Sequence, residues 1–438
     1  MKKSMLIVVS LIIALSMVLA ACASQATPTQ PPAAEATQAP AQPAQPTEPP
    51  AAAANPGLQM EQAAVAAQFF TDEAYEESLE LMKNIPLNPE APVYLQYLID
   101  DPTDISQYPQ YTQKEGPYNI CFSNAGVNNP WRVVGYVNMG EQVLQLQNEG
   151  KINNFYHFDA NGNDAKQIAD IEDLINTPGK CDLLIVSPNT SEALTPVVEK
   201  ACEVLPVVVF DRGVLTDCPV IFAKTIGGYA FGISGAQFIV DTLPEGGNVL
   251  AFRILPGVDV LEQRWGAARK IFEQNPQLNV IGVEFVAYDA FRANTVVTDY
   301  LAKFGQIDAV WMDAGGTAVT ILEAFEDSGA DYPKVMVGED QNDYLLFWKE
   351  KGLTAIAPTF PTYQWRTAIL GSVMFLEGET VQKRWVLPQV DVTQANLDQF
   401  AQPDMPPLHY TMCGCEDMDN YPDAWINVDV SKYDRLYE

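Results

Sequence analysis

Asp211-Arg212 stands directly at the end of the apolar run 206–210, and similar junctures recur along the chain. Asn124, Asn128, Asn129 and Trp131 follow the run 118–123. Asp159 ends the next run, with Asn161 and Asn163 behind it, and Ser187, Asn189 and Thr190 follow a third. In the second half, Arg264 lies on the first turn after a run and its loop. Asp289 and Arg292 follow another run, Asp313 and Asp340 end two more, and Thr359 and Phe360 follow a last one. Carboxylates and amides accept hydroxyl hydrogen bonds, arginine donates several at once, and an aromatic ring covers the apolar face of a sugar. The set suits a neutral polyol, with Trp131 the leading stacking residue. The same residue types also cap helices and form turns, so no single position decides the matter. A charged pair placed straight after an apolar strand goes beyond what capping needs.

Other chemistries fit poorly. The 438 residues hold 25 Lys+Arg against 56 Asp+Glu, a net charge of −31, and only 2 His. Nucleic-acid binding needs a basic stripe, and no dense Lys/Arg cluster stands out beyond Lys2-Lys3 and the isolated Lys383-Arg384. Two histidines disfavour a histidine metal site or a catalytic triad. Gly227-Gly228 and Gly315-Gly316 lack the Lys-Ser/Thr of a phosphate loop. The stretch from Asp159 to Asp170 imitates a calcium loop, but Asp164 occupies the position of its turn glycine. No cysteine pair has Cys-x-x-Cys spacing, so zinc is disfavoured as well. The expectation is a protein with no cofactor, no metal and no enzymatic activity.

Lys2 and Lys3 precede the apolar run 5–18 and the tetrad Leu19-Ala20-Ala21-Cys22. A basic start, a short apolar core and small residues read as a secretory signal, too short to favour a permanent span. The tetrad resembles a bacterial lipobox, which implies cleavage before Cys22 and a diacylglyceryl thioether on its sulfur. Residues 23–57 contain 9 Pro and 12 Ala and cannot bury a core, so they form an extended tether. Six cysteines remain after Cys22, an even number that suits disulfides outside the cytoplasm. Cys202 ends a helical segment and Cys218 follows the next strand's loop, which makes them the best single pair. Cys413 and Cys415 close a small ring or bond elsewhere.

The site residues need elements to hold them. Residues 58–83 read as helical and 84–116 as an irregular wrap. From 117 onward strands and helices alternate: strands at 118–123, 154–159, 182–187 and 206–211, with helices between them. The second half repeats the pattern with strands at 248–254, 280–287, 309–313, 334–338 and 353–357, and a final helix at 362–376. The run 182–187 is almost continuously apolar, as a parallel strand covered on both faces requires. One sheet holding every strand would be unusually wide, so the fold class is α/β with two doubly wound parallel-sheet lobes. The chain is expected to cross between them near 222–226, 357–361 and 385–393. In such sheets ligands bind beyond the carboxyl ends of the strands, where the polar residues gather.

Asn128-Asn129-Pro130-Trp131, Val208-Val209-Phe210-Asp211-Arg212, Gln263-Arg264-Trp265-Gly266 and Val337-Gly338-Glu339-Asp340 together resemble the periplasmic ribose-binding protein family. These are type I solute-binding proteins of sugar ABC transporters, and the resemblance covers about 117–400. It implies the type I periplasmic binding protein fold. It also implies that Asn128 or Asn129 bonds a sugar hydroxyl and that Trp131 stacks on the ring. Asp211 and Arg212 would bind from the first lobe, Arg264 and Asp340 from the second. Where the family commonly has a Gln-Asn pair this chain has Asp313-Ala314, and where a Gln stands at the second crossing it has Thr359. The ligand is thus not simply ribose. Asp159, Asp313 and Thr359 complete the candidate set.

The resulting organisation is a signal peptide (1–21), a lipid-anchored tether (22–57) and an N-terminal extension (58–116). A first lobe (117–224 with 360–384), a second lobe (225–359 with 385–400) and a C-terminal extension (401–438) follow. Tyr410, Tyr421 and Trp425 in that extension either shape the cleft or pack on the body; packing is favoured. The expected protein is a monomer held by Cys22 on the outer face of a bacterial cytoplasmic membrane. It captures a monosaccharide or similar polyol and hands it to ABC permease subunits. Two other functions compete: a ligand-presenting sensor of the same fold, and a secreted glycoside hydrolase using Asp313 and Asp340 as paired acids.

Overall fold

The computed structural model describes residues 55–434 and 436. The signal peptide, Cys22 and nearly all of the tether lie outside the described residues. Among the described residues no helix is long and apolar enough to cross a membrane.

The N-terminal extension departs from the helix expected over 58–83. It makes three single 3-10 turns, Pro56–Gln59, Glu61–Ala63 and Ala67–Phe69, and only then a helix, α1 (Asp72–Leu81), capped by Thr71. The reason lies outside the segment. Arg253 donates to the carbonyls of Gln62 and Ala64, while Trp265 Nε1 and Arg269 donate to that of Ala63. Carbonyls turned toward donors in another part of the chain are drawn out of line for a regular helical ladder. The irregular stretch that follows contains a two-residue strand, β1 (Pro102–Thr103), and buries Tyr94, Ile105 and Tyr111.

The first lobe begins with β2 (Tyr118–Asn124), α2 (Pro130–Asn148), β3 (Ile152–Asp159) and α3 (Asp164–Ile175). It continues with β4 (Leu183–Ser187), α4 (Ser191–Cys202), β5 (Val207–Phe210) and β6 (Ile221–Thr225). Asn129 caps α2 by accepting from the Arg132 amide, and Pro130 takes the first helical position. The second lobe runs through α5 (Gly228–Thr242), β7 (Gly247–Arg253), α6 (Asp259–Gln274), β8 (Leu278–Phe285) and α7 (Ala290–Phe304). It then adds β9 (Ala309–Met312), α8 (Ala318–Ser328), β10 (Val335–Val337), α9 (Asn342–Lys351) and β11 (Ala355–Pro358). After α10 (Gln364–Leu376) come β12 (Val381–Gln382), β13 (Arg384–Leu387), β14 (Asp391–Val392) and the short helices α11 (Leu397–Phe400) and α12 (Asp423–Ile426).

The strand orders are β13-β6-β5-β4-β2-β3 and β14-β11-β10-β9-β7-β8. All neighbours are parallel except β14 with β11, and β1 pairs with β12 separately. Each sheet reverses its winding beside its first strand, between β2 and β4 and between β7 and β9. Two expectations about the crossings change. Residues 221–225 are a strand of the first sheet, so the crossing follows at 226–227. Residues 385–387 also belong to that sheet, in β13, rather than to the second lobe. The partner of β6 on its outer side lies some 160 residues downstream, a pairing that local pattern does not reveal.

Among the described residues three disulfides lock the body: Cys202–Cys218 as expected, Cys413–Cys415 as a small ring, and Cys121–Cys181, which ties β2 to the loop before β4. Cys121–Cys181 spans 60 residues and Cys202–Cys218 spans 16, so the first closes the longer loop. Replacing both Cys121 and Cys181 with Ala is expected to cost about 3–5 kcal/mol of stability by urea unfolding. An unchanged midpoint at unchanged slope would contradict that ranking.

Candidate ligand cleft between the lobes

Asp211 leaves β5 in the left-handed region, φ 66°, a conformation that Asp tolerates better than most side chains. Its carboxylate then meets Arg132, on the first turn of α2, at 2.8 Å, with side chains only 3% and 4% exposed. The same guanidinium donates to Asn124 Oδ1 at 3.1 Å and Ser187 Oγ at 3.3 Å, at the ends of β2 and β4. One arginine therefore gathers the carboxyl ends of three strands. Burial, with Arg212 nearby, lowers its pKa to about 10, still charged at neutral pH. Asp211 Oδ1 has no hydrogen-bond partner among the described residues.

The second lobe repeats the device. Arg264 on α6 donates to Glu339 Oε1 at 2.9 Å and to the carbonyl of Asp313, just past β9. Its guanidinium lies 4.0 Å from the ring centre of Phe231 and 4.6 Å from that of Phe360. Gly232 makes this possible: a Cβ there would collide with the Arg264 carbonyl, so α5 and α6 touch backbone to backbone. Glu339 Oε2 accepts from the Gly315 amide at 3.0 Å and the Tyr410 hydroxyl at 2.9 Å. Trp131 donates from Nε1 to the Phe360 carbonyl at 2.7 Å, tying the first lobe to the second crossing.

Of the expected site residues, Asn129, Trp131, Asp211, Arg212 and Arg264 line one cleft. Asp313, Asp340 and Thr359 are fully buried beside it. Asp340 acts as a bracket: Oδ1 accepts from the Phe360 amide and Oδ2 from the Met412 amide. Asp313 Oδ1 accepts from Ile254, whereas its Oδ2 and the Thr359 hydroxyl are buried without partners among the described residues. Asn128 and Asp159 are outside the cleft lining, flanking Gly126, and Asp159 accepts from the Asn161 amide in a turn. The stretch that imitates a calcium loop is a strand-to-helix connection whose Asp164 accepts from Asn189 and Thr190.

Arg132, Glu339 and Tyr288 line the cleft although residue type and position did not single them out. Arg132 sits within a helix, where a charged residue ordinarily faces solvent, and Tyr288 is aimed by two successive left-handed residues, Ala287 and Tyr288. Tyr410 overturns the packing expectation, since it joins the cleft wall. Trp425, by contrast, packs and donates to Asn138 on α2, with Tyr421 against its ring. One group of metal-ligand types occurs among the described residues, His409 with Cys413 and Cys415. Both of its sulfurs are consumed by the disulfide and are not thiolate ligands.

Polar groups converging from the carboxyl ends of two parallel sheets, each at its winding reversal, define a bilobal solute-binding protein. The chain belongs to the periplasmic binding protein domain family, whose profile matches residues 120–380. It is 30% identical over 229 residues to the ribose import binding protein of Bacillus subtilis (strain 168), covering 51% of this chain and 72% of that one. It is 27% identical over 117 residues to the D-allose-binding periplasmic protein of Escherichia coli (strain K12), covering 26% and 38%. An ABC transporter solute-binding protein from Bacillus halodurans C-125, solved with bound myo-inositol, superposes with a TM-score of 0.60 at 20% identity. That match covers 66% of this chain and 99% of that structure, and it establishes the fold.

Burial pushes the carboxyls of Asp313 and Asp340 up to about 7. An acid whose pKa rises on folding, from roughly 4, takes up a proton as the chain folds. Its contribution to stability is therefore best below that range and falls as pH rises from about 4 through 7. Asp313→Asn is expected to raise stability at pH 8 by about 1–3 kcal/mol and to change little at pH 4.5. Denaturant melts at the two pH values check this; an equal effect at both would refute it.

Proposed function

We propose that this chain is an extracytoplasmic solute-binding lipoprotein that closes two lobes on a sugar or related polyol and delivers it to an ABC permease. The observation that carries this reading is the pair of buried ion pairs, Arg132–Asp211 and Arg264–Glu339, at the sheet ends of the two lobes. They present fixed donors and acceptors to a hydroxyl-rich ligand, and Trp131, Tyr288, Phe360 and Tyr410 supply ring faces beside them. The names of the ribose and D-allose relatives support the ligand class. Closure follows because the ligand contacts both lobes only when they meet, so it binds that state better. Three crossings provide the hinge.

Hydrolysis is disfavoured on the same geometry. Both Asp340 oxygens are engaged by main-chain amides, so it does not serve as the free partner of Asp313 in a two-acid mechanism. Glycosides are expected to survive incubation with the protein.

Calorimetry against pentoses, hexoses, disaccharides and polyols tests the reading. At least one sugar should bind, and Asp211→Ala should weaken it by about 1.5–3 kcal/mol, the worth of a charged hydrogen bond. Failure of every sugar would reject the proposal. Cys22→Ser should move the protein from the membrane fraction to the soluble fraction on immunoblots of expressing cells; retention would reject the lipid anchor.

A further inference from the structure

We infer that the ligand is larger than a monosaccharide, a disaccharide or glycoside whose second ring occupies a side cavity beside the cleft. This rests on the sugar-binding reading and assigns a second subsite to it. With the lobes this close the cleft itself has a free volume of about 50 Å³, so a ring enters it only as the lobes part. Next to it lies a cavity of about 310 Å³, within the range of small-molecule sites. The two spaces share Asp211, Arg212, Val260 and Phe360, so a ligand held by Asp211 and Arg212 extends from one into the other.

The side cavity is equipped for hydroxyls. Among the described residues Ser191 Oγ, at the start of α4 and 1% exposed, has no hydrogen-bond partner, and neither has the buried Oδ1 of Asp259 on α6. Asp259 Oδ2 already accepts from the Gly213 amide at 2.8 Å, which joins the lobes there and aligns the carboxylate. Burial pushes that carboxyl up to about 6. A sugar hydroxyl would supply both orphaned oxygens with a partner that the chain itself does not. Apolar wall is supplied by Phe222 from the first lobe and Phe69 from the N-terminal extension.

That last contribution separates this site from the matched family region, which begins at residue 120. Gln68, Phe69, Thr71 and Ala74 of the extension line part of the cavity. They are pinned by Tyr229, whose hydroxyl donates to the Phe69 carbonyl at 3.2 Å and accepts from the Thr71 amide at 3.1 Å. The extension is thereby a wall of the ligand compartment.

The test is calorimetry on the full mature chain with D-ribose, D-allose, D-glucose and D-galactose beside maltose, cellobiose, lactose, melibiose and the phenyl glycosides of glucose and galactose. At least one two-ring ligand should bind ten-fold or more tightly than its constituent monosaccharide. Ser191→Val and Ala74→Phe, each changing a residue of the cavity lining, should each erase that advantage ten-fold while leaving monosaccharide affinity within two-fold. A monosaccharide that binds as tightly as every two-ring ligand overturns the subsite but leaves the sugar-binding reading standing. So does a two-ring ligand whose affinity ignores both variants. If neither panel binds, the sugar-binding reading falls, and the subsite with it.

Discussion

A buried guanidinium has to be paired, and much of this molecule is organised around meeting that demand twice. Arg132 and Arg264 sit almost wholly out of water, where an unpaired charge would cost several kcal/mol. Each is answered by a carboxylate from the end of a parallel strand and by further acceptors from neighbouring strands. Asp211 adopts a left-handed backbone in doing so, and Gly232 is required so that Arg264 can lie where it does. The pairs also fix the cleft wall, because each guanidinium and carboxylate is held in place by the other. A third arginine, Arg253, is buried against Glu262 and the carbonyls of the N-terminal extension, carrying the same logic outward from the cleft.

The two extensions are as much part of this arrangement as the lobes. The N-terminal one gives its 62–64 carbonyls to the second lobe, and Tyr111 donates to the Cys202 carbonyl of the first. The C-terminal one meets the second lobe through Tyr410 on Glu339. It meets the first through Asp417 on Arg366, Trp425 on Asn138 and Tyr433 on Glu141. Segments with contacts on both lobes hold the two together. The small free volume of the cleft agrees with lobes held close together.

Much of the fold was legible along the chain. Strands such as 182–187 and 206–211 are apolar on both faces, and Asn129-Pro130 announces a helix start that the structure bears out. The misreadings share one cause. The 58–83 stretch has helical periodicity but surrenders its carbonyls to Arg253, Trp265 and Arg269, all more than 180 residues away. The strand at 221–225 sits between β5 and the distant β13, and Cys121–Cys181 joins residues that nothing in their spacing singled out.

For the site, the sequence by itself determined the residue types that follow each strand, because an open parallel sheet places what comes after its strands at one edge. Asp211, Arg212 and Arg264 could be named on that ground. Tertiary structure alone decided which of these groups are engaged with each other and which remain available. Asp340 became a main-chain bracket, Arg132 became the ion-pair partner of Asp211 and Glu339 that of Arg264, and Tyr410 came from the far end of the chain to line the cleft. Hydrogen bonds of this kind depend on distances of about 3 Å between residues far apart in sequence. Local pattern carries the direction of a strand and the polarity of its ends, but not those distances.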